Sequence, residues 1–310
     1  MTSRVAFISH SDCGRHDNGW NHEEHAGRLR AITRAVGRDP DLFPALDHLE
    51  GRHALESELA LAHTSEHIAN VRDVSAQGGG RFDADTVASA GSWDAATAAV
   101  GCVLDAVDRS LAATNLRAFC AVRPPGHHAL AHAAMGFCLF GNVAIAAHYA
   151  RRTKGLERVL IVDWDVHHGN GTQAIVERDP NIHFISMHQW PWYPGTGAAD
   201  DRGPHKNVWN APMPPLLPRQ SYVSALLGAI DAATTGFTPD IVFISAGFDS
   251  LSGDPLGGFT LELDDIALLT REIVSRAGVW CGGRLVSALE GGYAPERLGE
   301  AAVTHLKALI

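Results

Sequence analysis

An α/β fold built on an open parallel sheet flanked by helices is the class that the sequence predicts, and three observations predict it. Short apolar runs bounded by turn residues alternate with longer segments of helical period along most of the 310 residues. Each run is five or six residues long and mostly apolar, with at least one β-branched residue, which is the signature of a buried strand. Five of the runs lead straight into loops rich in glycine, histidine or aspartate, and in a parallel sheet such loops emerge together at the carboxyl edge, where ligand sites form.

Taken in order, the first strand is expected at Val5–Ser9. A helix over 92–110 precedes a strand at Ala118–Val122, and a helix over 141–153 precedes strands at Arg158–Asp163 and His183–Met187. In the helix over 219–232, Val223, Leu226, Leu227 and Ile230 recur at i, i+3, i+4 and i+7, so one face is apolar. Strands at Ile241–Ser245 and Leu285–Leu289 alternate with helices over 262–276 and 296–309. The Gly78–Gly80 run and the proline-rich stretch 204–218 read as loops, and with neither a repeat nor a linker, 1–310 reads as a single domain.

The composition, 45% apolar and 19% charged, belongs to a core-forming globular chain. A formal charge of −10 opposes binding to a nucleic-acid backbone. Cys13, Cys102, Cys120, Cys138 and Cys281 form no C-x-x-C pair, so they read as buried thiols in a reducing compartment. The opening stretch holds only a five-residue apolar run, too short for a leader core, and no segment approaches the length of a membrane span. A cytoplasmic protein with neither membrane nor nucleic-acid partners is expected.

The five loops are RPPGHH (123–128), DWDVHHGNG (163–171), HQWPWYPGTG (188–197), AGFDSLSGDPLGG (246–258) and EGGY (290–293). Asp165 and His167 stand two apart at a strand end, so an extended backbone puts both side chains on one face. With Asp254 from another loop they make a three-ligand set that leaves a fourth position for water, the pattern of a catalytic zinc site. His127 and His128 suit a pair of general acid–base groups, and the Tyr293 hydroxyl suits an oxyanion donor. Each motif alone has an ordinary reading: D-x-H as a turn, His-His as a loop of a histidine-rich chain, EGGY as a turn with a plain tyrosine. Their convergence from five regions favours the chemical one. His22-Glu23-Glu24-His25 lacks the H-E-x-x-H spacing of a zincin helix and reads as a solvated loop or helix start.

RPPGHHA (123–129), GFCLFGNVAIAA (136–147), VDWDVHHGNGTQ (162–173), PGTG (194–197), SAGFDSLSGDPLGG (245–258) and LEGGY (289–293) together resemble the histone deacetylase family, specifically its class II and bacterial amidohydrolase-like branch. Weaker resemblance through 25–32, 63–68 and 83–96 extends the match over nearly the whole chain. The resemblance implies the arginase/deacetylase-like fold and removal of acetyl or related acyl groups from an acylated amine, acetyl-lysine in a protein or a small molecule, with release of acetate. It implies one Zn²⁺ on Asp165, His167 and Asp254, catalysis by His127, His128 and Tyr293, and support from Asp163 and Asn170. A structural K⁺ or Na⁺ would sit at Asp163, Asp165, His167, Ser186 and Met187. Phe137 and Tyr193 would wall a narrow acyl tunnel, with Leu261 at its rim.

Three rivals remain. A two-manganese hydrolase would need D-x-H-x-D, and the last position here is Gly169. A non-catalytic acetyl-group binder would replace the tyrosine, and Tyr293 is present. An acetylpolyamine deacetylase would want a carboxylate at the rim, where the resemblance places Leu261, so acyl-lysine amides are the expected substrate. The N-terminal Asn21–His25 departs from the family's proline-containing segment there, and the oligomeric state, a homo-oligomer included, stays open.

Overall fold

The computed structural model describes residues 5–112 and 116–310, so Met1–Arg4 at the head of the opening stretch lie outside the described residues. The elements run β1 (Val5–Ser9), α1 (Gly27–Arg38), β2 (Leu46–Glu50), α2 (Glu56–Leu59), α3 (Ser65–Ala76), β3 (Gly79–Arg81), β4 (Val87–Ser89), α4 (Ser92–Ala112) and β5 (Arg117–Cys120). They continue with α5 (Asn142–Arg152), β6 (Val159–Asp163), α6 (Asn170–Val176), β7 (Ile182–Gln189), β8 (Val208–Met213), α7 (Arg219–Thr234), β9 (Ile241–Ala246), α8 (Leu263–Cys281), β10 (Leu285–Leu289) and α9 (Pro295–Leu309).

Eight strands form one sheet in the order β2-β1-β5-β10-β9-β6-β7-β8, and every neighbouring pair is parallel. The fold is therefore the expected open parallel sheet with helices on both faces. β6, β9 and β10 are buried at every position, as strands covered on both sides must be. Alternation along β6 divides the core: Val159 and Ile161 join the layer containing Val143 and Val103 of α5 and α4, whereas Leu160 and Val162 join the layer with Leu226 and Leu269 of α7 and α8.

The predicted strands are all present within one to two residues of their bounds, and two further sheet strands and a hairpin join them. β2 is a half-exposed edge strand of sequence LDHLE, too polar to register as an apolar run. β8 lies inside the proline-rich stretch read as a loop, and Pro212 is tolerated there because β8 is the opposite edge. The antiparallel β3–β4 pair takes in part of the Gly78–Gly80 run. α1 carries a fully buried arginine, Arg28, on the face that otherwise packs Ala31, Ile32 and Val36, which masks its apolar stripe. All five cysteines are buried free thiols. Among the described residues no helix is long and apolar enough to cross a membrane.

The strand order gives the loops their meaning. The five loops singled out above follow β5, β10, β9, β6 and β7, which are consecutive neighbours in the sheet. One edge of five adjacent strands therefore gathers all the candidate chemistry.

Candidate active site

At the end of β6 the chain leaves the sheet through Trp164, and its next turn folds back on itself. The His167 backbone N–H donates to Asp165 Oδ1 at 2.9 Å, and the Val166 N–H donates to Asp249 Oδ1 at 2.9 Å. His167 Nδ1 lies 3.0 Å from Asp165 Oδ1 and 3.2 Å from Asp249 Oδ2. Donor atoms of Asp165, His167 and Asp249 all fall within 4.8 Å of one another, and all three residues are buried. Ligand atoms around a tetrahedral zinc with bonds of about 2.0–2.1 Å stand roughly 3.3 Å apart, so the spacing suits one ion. Asp249 Oδ2 is buried without a hydrogen bond, a cost that a cation would remove.

The electrostatics agree. Burial, together with the neighbouring Asp165 charge, pushes the Asp249 carboxyl up to about 7. Asp165 is held below the usual carboxylate range despite its burial, by His127 and His167. His167, whose charge burial opposes, is raised to about 10 by its contacts with Asp165 and Asp249. Two carboxylates and an imidazole so close together are a donor set of the kind that takes up a divalent ion in exchange for protons. Gly291 closes the cradle from β10, because a Cβ there would lie 2.0 Å from Asp249 Oδ2 and 2.6 Å from Asp165 Oδ2.

The third residue of this cluster is Asp249, where the sequence reading expected Asp254. Asp254 accepts from the Tyr293 N–H at 2.6 Å and from the Leu256 N–H at 3.0 Å, and stands outside the cluster. Both aspartates lie on the loop after β9, and spacing along an irregular loop does not say which one turns inward. The available signal was proximity to the strand: Asp249 is three residues past Ala246, as Asp165 is two past Asp163.

His127 and His128 sit beside this cluster with ring centroids 4.0 Å apart. The His127 Nδ1–H donates to Asp163 Oδ2 at 3.0 Å, and the His128 Nδ1–H donates to Asn170 Oδ1 at 2.7 Å. Burial works against the charge on both rings, yet the carboxylates of Asp165 and Asp163 hold His127 well above its ordinary value. Burial, followed by His127 and His167, drives His128 well below it. The two neighbouring rings are thus pushed in opposite directions, His127 toward its charged form and His128 toward its neutral one. Asp163 pairs in register with Ser186 across β6 and β7, while the Met187 side chain points into the core.

A cavity of about 200 Å³ opens above the cluster, lined by Asp85, His128, Gly136, Phe137, His167, Trp192, Tyr193, Leu256 and Tyr293. Tyr193 stands perpendicular to His128 at 5.1 Å, and Phe137 packs edge-on against Tyr293 at 5.9 Å. Burial pushes the Tyr293 hydroxyl well above its ordinary range, so it remains a donor. Leu261 is not at the rim, which corrects the reading above. It is 1% exposed and packs in the core, bridged to Leu251, because the chain has already turned back toward α8. Leu256 and Trp192 take the lining positions, and Asp85, from the turn of the β3–β4 hairpin, brings a carboxylate to the cavity.

A buried charge network underlies the site. Glu24 is fully buried, not solvated as its H-E-E-H setting suggested. It accepts two bonds of 2.7 Å from Arg123, which precedes the histidine loop, and one of 3.2 Å from Arg28. Arg28 in turn donates to the carbonyls of Gly292 and Glu290 and lies over the Tyr293 ring at 4.8 Å.

The histone deacetylase domain model matches residues 22–309. An uncharacterized protein of Synechocystis is 40% identical over 99% of both chains, and a probable deacetylase of Methanothermobacter thermautotrophicus is 36% identical over 97% of this chain and 90% of its own. Histone deacetylase 15 of Arabidopsis thaliana is 37% identical over 93% of this chain, which spans 53% of that longer protein. The crystal structure of the HDA15 HD domain superimposes with a TM-score of 0.93 at 36% identity, covering the whole chain and 88% of that domain. With the family model spanning almost every residue and the loop chemistry gathered at one sheet edge, the chain belongs to the histone deacetylase family.

Proposed function

We propose that the chain is a zinc-dependent amidohydrolase that removes acetyl or related acyl groups from an acylated amine. The carrying observation is the buried Asp165–His167–Asp249 cluster on the floor of a narrow cavity, with the neutral His128 and the Tyr293 hydroxyl on its lining. Asp165, His167 and Asp249 would hold the zinc, which would supply Lewis-acid polarisation of the amide carbonyl and acidification of the attacking water. His128 receives the water proton at Nε2, because Asn170 holds the proton of the ring on Nδ1. Tyr293 donates its hydroxyl hydrogen to the developing oxyanion. Protonated His128 then gives its proton to the departing amine, and acetate and the amine leave. His127, kept cationic against Asp163, adds positive charge beneath the oxyanion. We place a structural K⁺ or Na⁺ at Asp163 and Ser186 by the family resemblance.

The substrate reading changes with the rim. Asp85 in the lining and the chain's charge of −10 favour an acylated amine that carries a further positive charge. Preference for acyl-lysine amides over acetylpolyamines, which rested on Leu261 at the rim, loses that support because Leu261 is buried. The test is hydrolysis of a neutral-capped acetyl-lysine, an acetyl-lysine peptide rich in lysine and N8-acetylspermidine, before and after chelation and zinc return. Turnover that survives chelation overturns the metal reading, and a uniform preference for the neutral substrate overturns the cationic one.

A further inference from the structure

The four residues after β10 do more than present Tyr293. The Gly291 N–H donates to Asp165 Oδ2 at 2.8 Å, and the Tyr293 N–H is held by Asp254 at 2.6 Å. The first residue of the segment, Glu290, is fully buried, and neither the sequence motif nor the proposed chemistry gives it a task. Its side chain reaches sideways along the sheet edge to the loop after β5. There Oε2 accepts from the backbone N–H groups of Gly126 at 2.7 Å and His127 at 3.1 Å. The other oxygen, Oε1, accepts from the Ser245 hydroxyl of β9 at 3.3 Å. Glu290 is itself fixed at both ends of its peptide unit, its N–H donating to the Ala246 carbonyl at 3.1 Å and its carbonyl accepting from Arg28.

Two successive backbone amides immediately before the paired imidazoles thus end on one carboxylate oxygen. The same residue begins the segment that carries the oxyanion donor. We propose that Glu290 is a positioning residue, whose buried carboxylate locks the His127–His128 backbone to the Tyr293 segment and so sets the spacing between the proton-transfer ring and the hydroxyl. Reach is what the role requires. A side chain one methylene shorter leaves two buried amides without an acceptor, and the loop must move or pay that cost. An amide of the same length keeps an oxygen for both N–H groups and turns its nitrogen to Ser245.

The inference rests on the proposed hydrolysis, and the experiment separates the two. E290D keeps the charge and loses the reach, whereas E290Q keeps the reach and loses the charge. For E290D we expect kcat to fall by about 10–10²-fold, the usual effect of misplacing a reacting group by about an ångström, with KM within about threefold and full metal content. For E290Q the loss stays under about fivefold by the same reasoning. Site-resolved amide exchange reads the lock without any reaction: the Gly126 and His127 amides should exchange about tenfold faster in E290D and stay protected in E290Q. The proposal is overturned if E290Q loses as much as E290D, if neither loses activity or protection, or if the E290D loss follows lost metal. If E290D does not fold, E290N, equally short and uncharged, takes its place under the same criteria. If the wild-type chain hydrolyses no acylated amine, the functional reading fails, and the exchange rates still decide the role of Glu290.

Discussion

Asp249 and Asp254 share a loop and a charge, but only one of them faces the His167 ring. Metal analysis of D249N and D254N separates them: the first variant should purify with most of its zinc gone, and the second should keep it, since two remaining ligands hold zinc poorly. Equal loss in both would return Asp254 to the ligand set. Tyr293 touches no cluster atom in any bond described, so Y293F should retain metal and lose about 10²–10³-fold in kcat, the usual loss of one oxyanion donor. Near-normal turnover of an acetylated substrate by that variant contradicts the assignment. At this scale the sequence was legible where residues flank a strand end, as Asp165 and His167 do two and four residues past Asp163. It was not legible in the irregular stretch 247–261, where loop geometry decides that Asp249 turns inward, Asp254 caps a backbone and Leu261 enters the core.

The loop between β1 and α1 behaves as part of the site because of one fully buried carboxylate. Arg123 holds Glu24 in its charged form, well below the usual carboxylate range despite burial. E24Q removes that charge and leaves the two buried guanidinium groups, still bonded to backbone carbonyls, without their counter-charge, a loss of about 3–5 kcal/mol. Urea unfolding should show a lower midpoint with an unchanged slope, and an unchanged midpoint would show that the network contributes nothing net. The ion network is invisible in sequence because Arg123 lies 99 residues from Glu24, which looks like one acidic residue of a polar run. Edge strands were hidden for a related reason. β2 and β8 each show the core only one face, so neither presents the continuous apolar run that identified β6 and β9.

Across the whole molecule, burial keeps several histidines neutral. It lowers His16, His148 and His188 to about 4, and His63, His168 and His305 to about 3. The unfolded chain takes up a proton at each of these below about pH 6.5, whereas the folded chain does not. Stability is therefore complete above that pH and falls as pH drops toward 4. His67, His128 and His183, also lowered by burial, add to this trend, whereas Asp249 and Glu290, raised by burial to about 7, and the raised Asp163, Asp254, His127 and His167 oppose it by holding protons that the unfolded chain does not bind at neutral pH. Each unopposed histidine steepens the decline by up to about 1.4 kcal/mol per pH unit. The urea midpoint should drop between pH 7 and pH 5, and a flat profile would contradict the burial of these rings. The parallel architecture was the most legible feature of all, because six strands buried on both faces wrote themselves as six apolar runs.

The position of β1 has a practical consequence for anyone excising this domain. The family match begins at residue 22, yet β1 at Val5–Ser9 hydrogen-bonds to β2 on one side and to β5 on the other. A fragment trimmed to the family boundary would detach β2 and lay bare the flank of β5, turning an interior seam into a sticky ladder ready to recruit strands from other chains. It would also discard the Cys13 and His16 carbonyls on which Arg123 is anchored. A cut that keeps these contacts lies ahead of Val5, well before residue 22 where the family model begins.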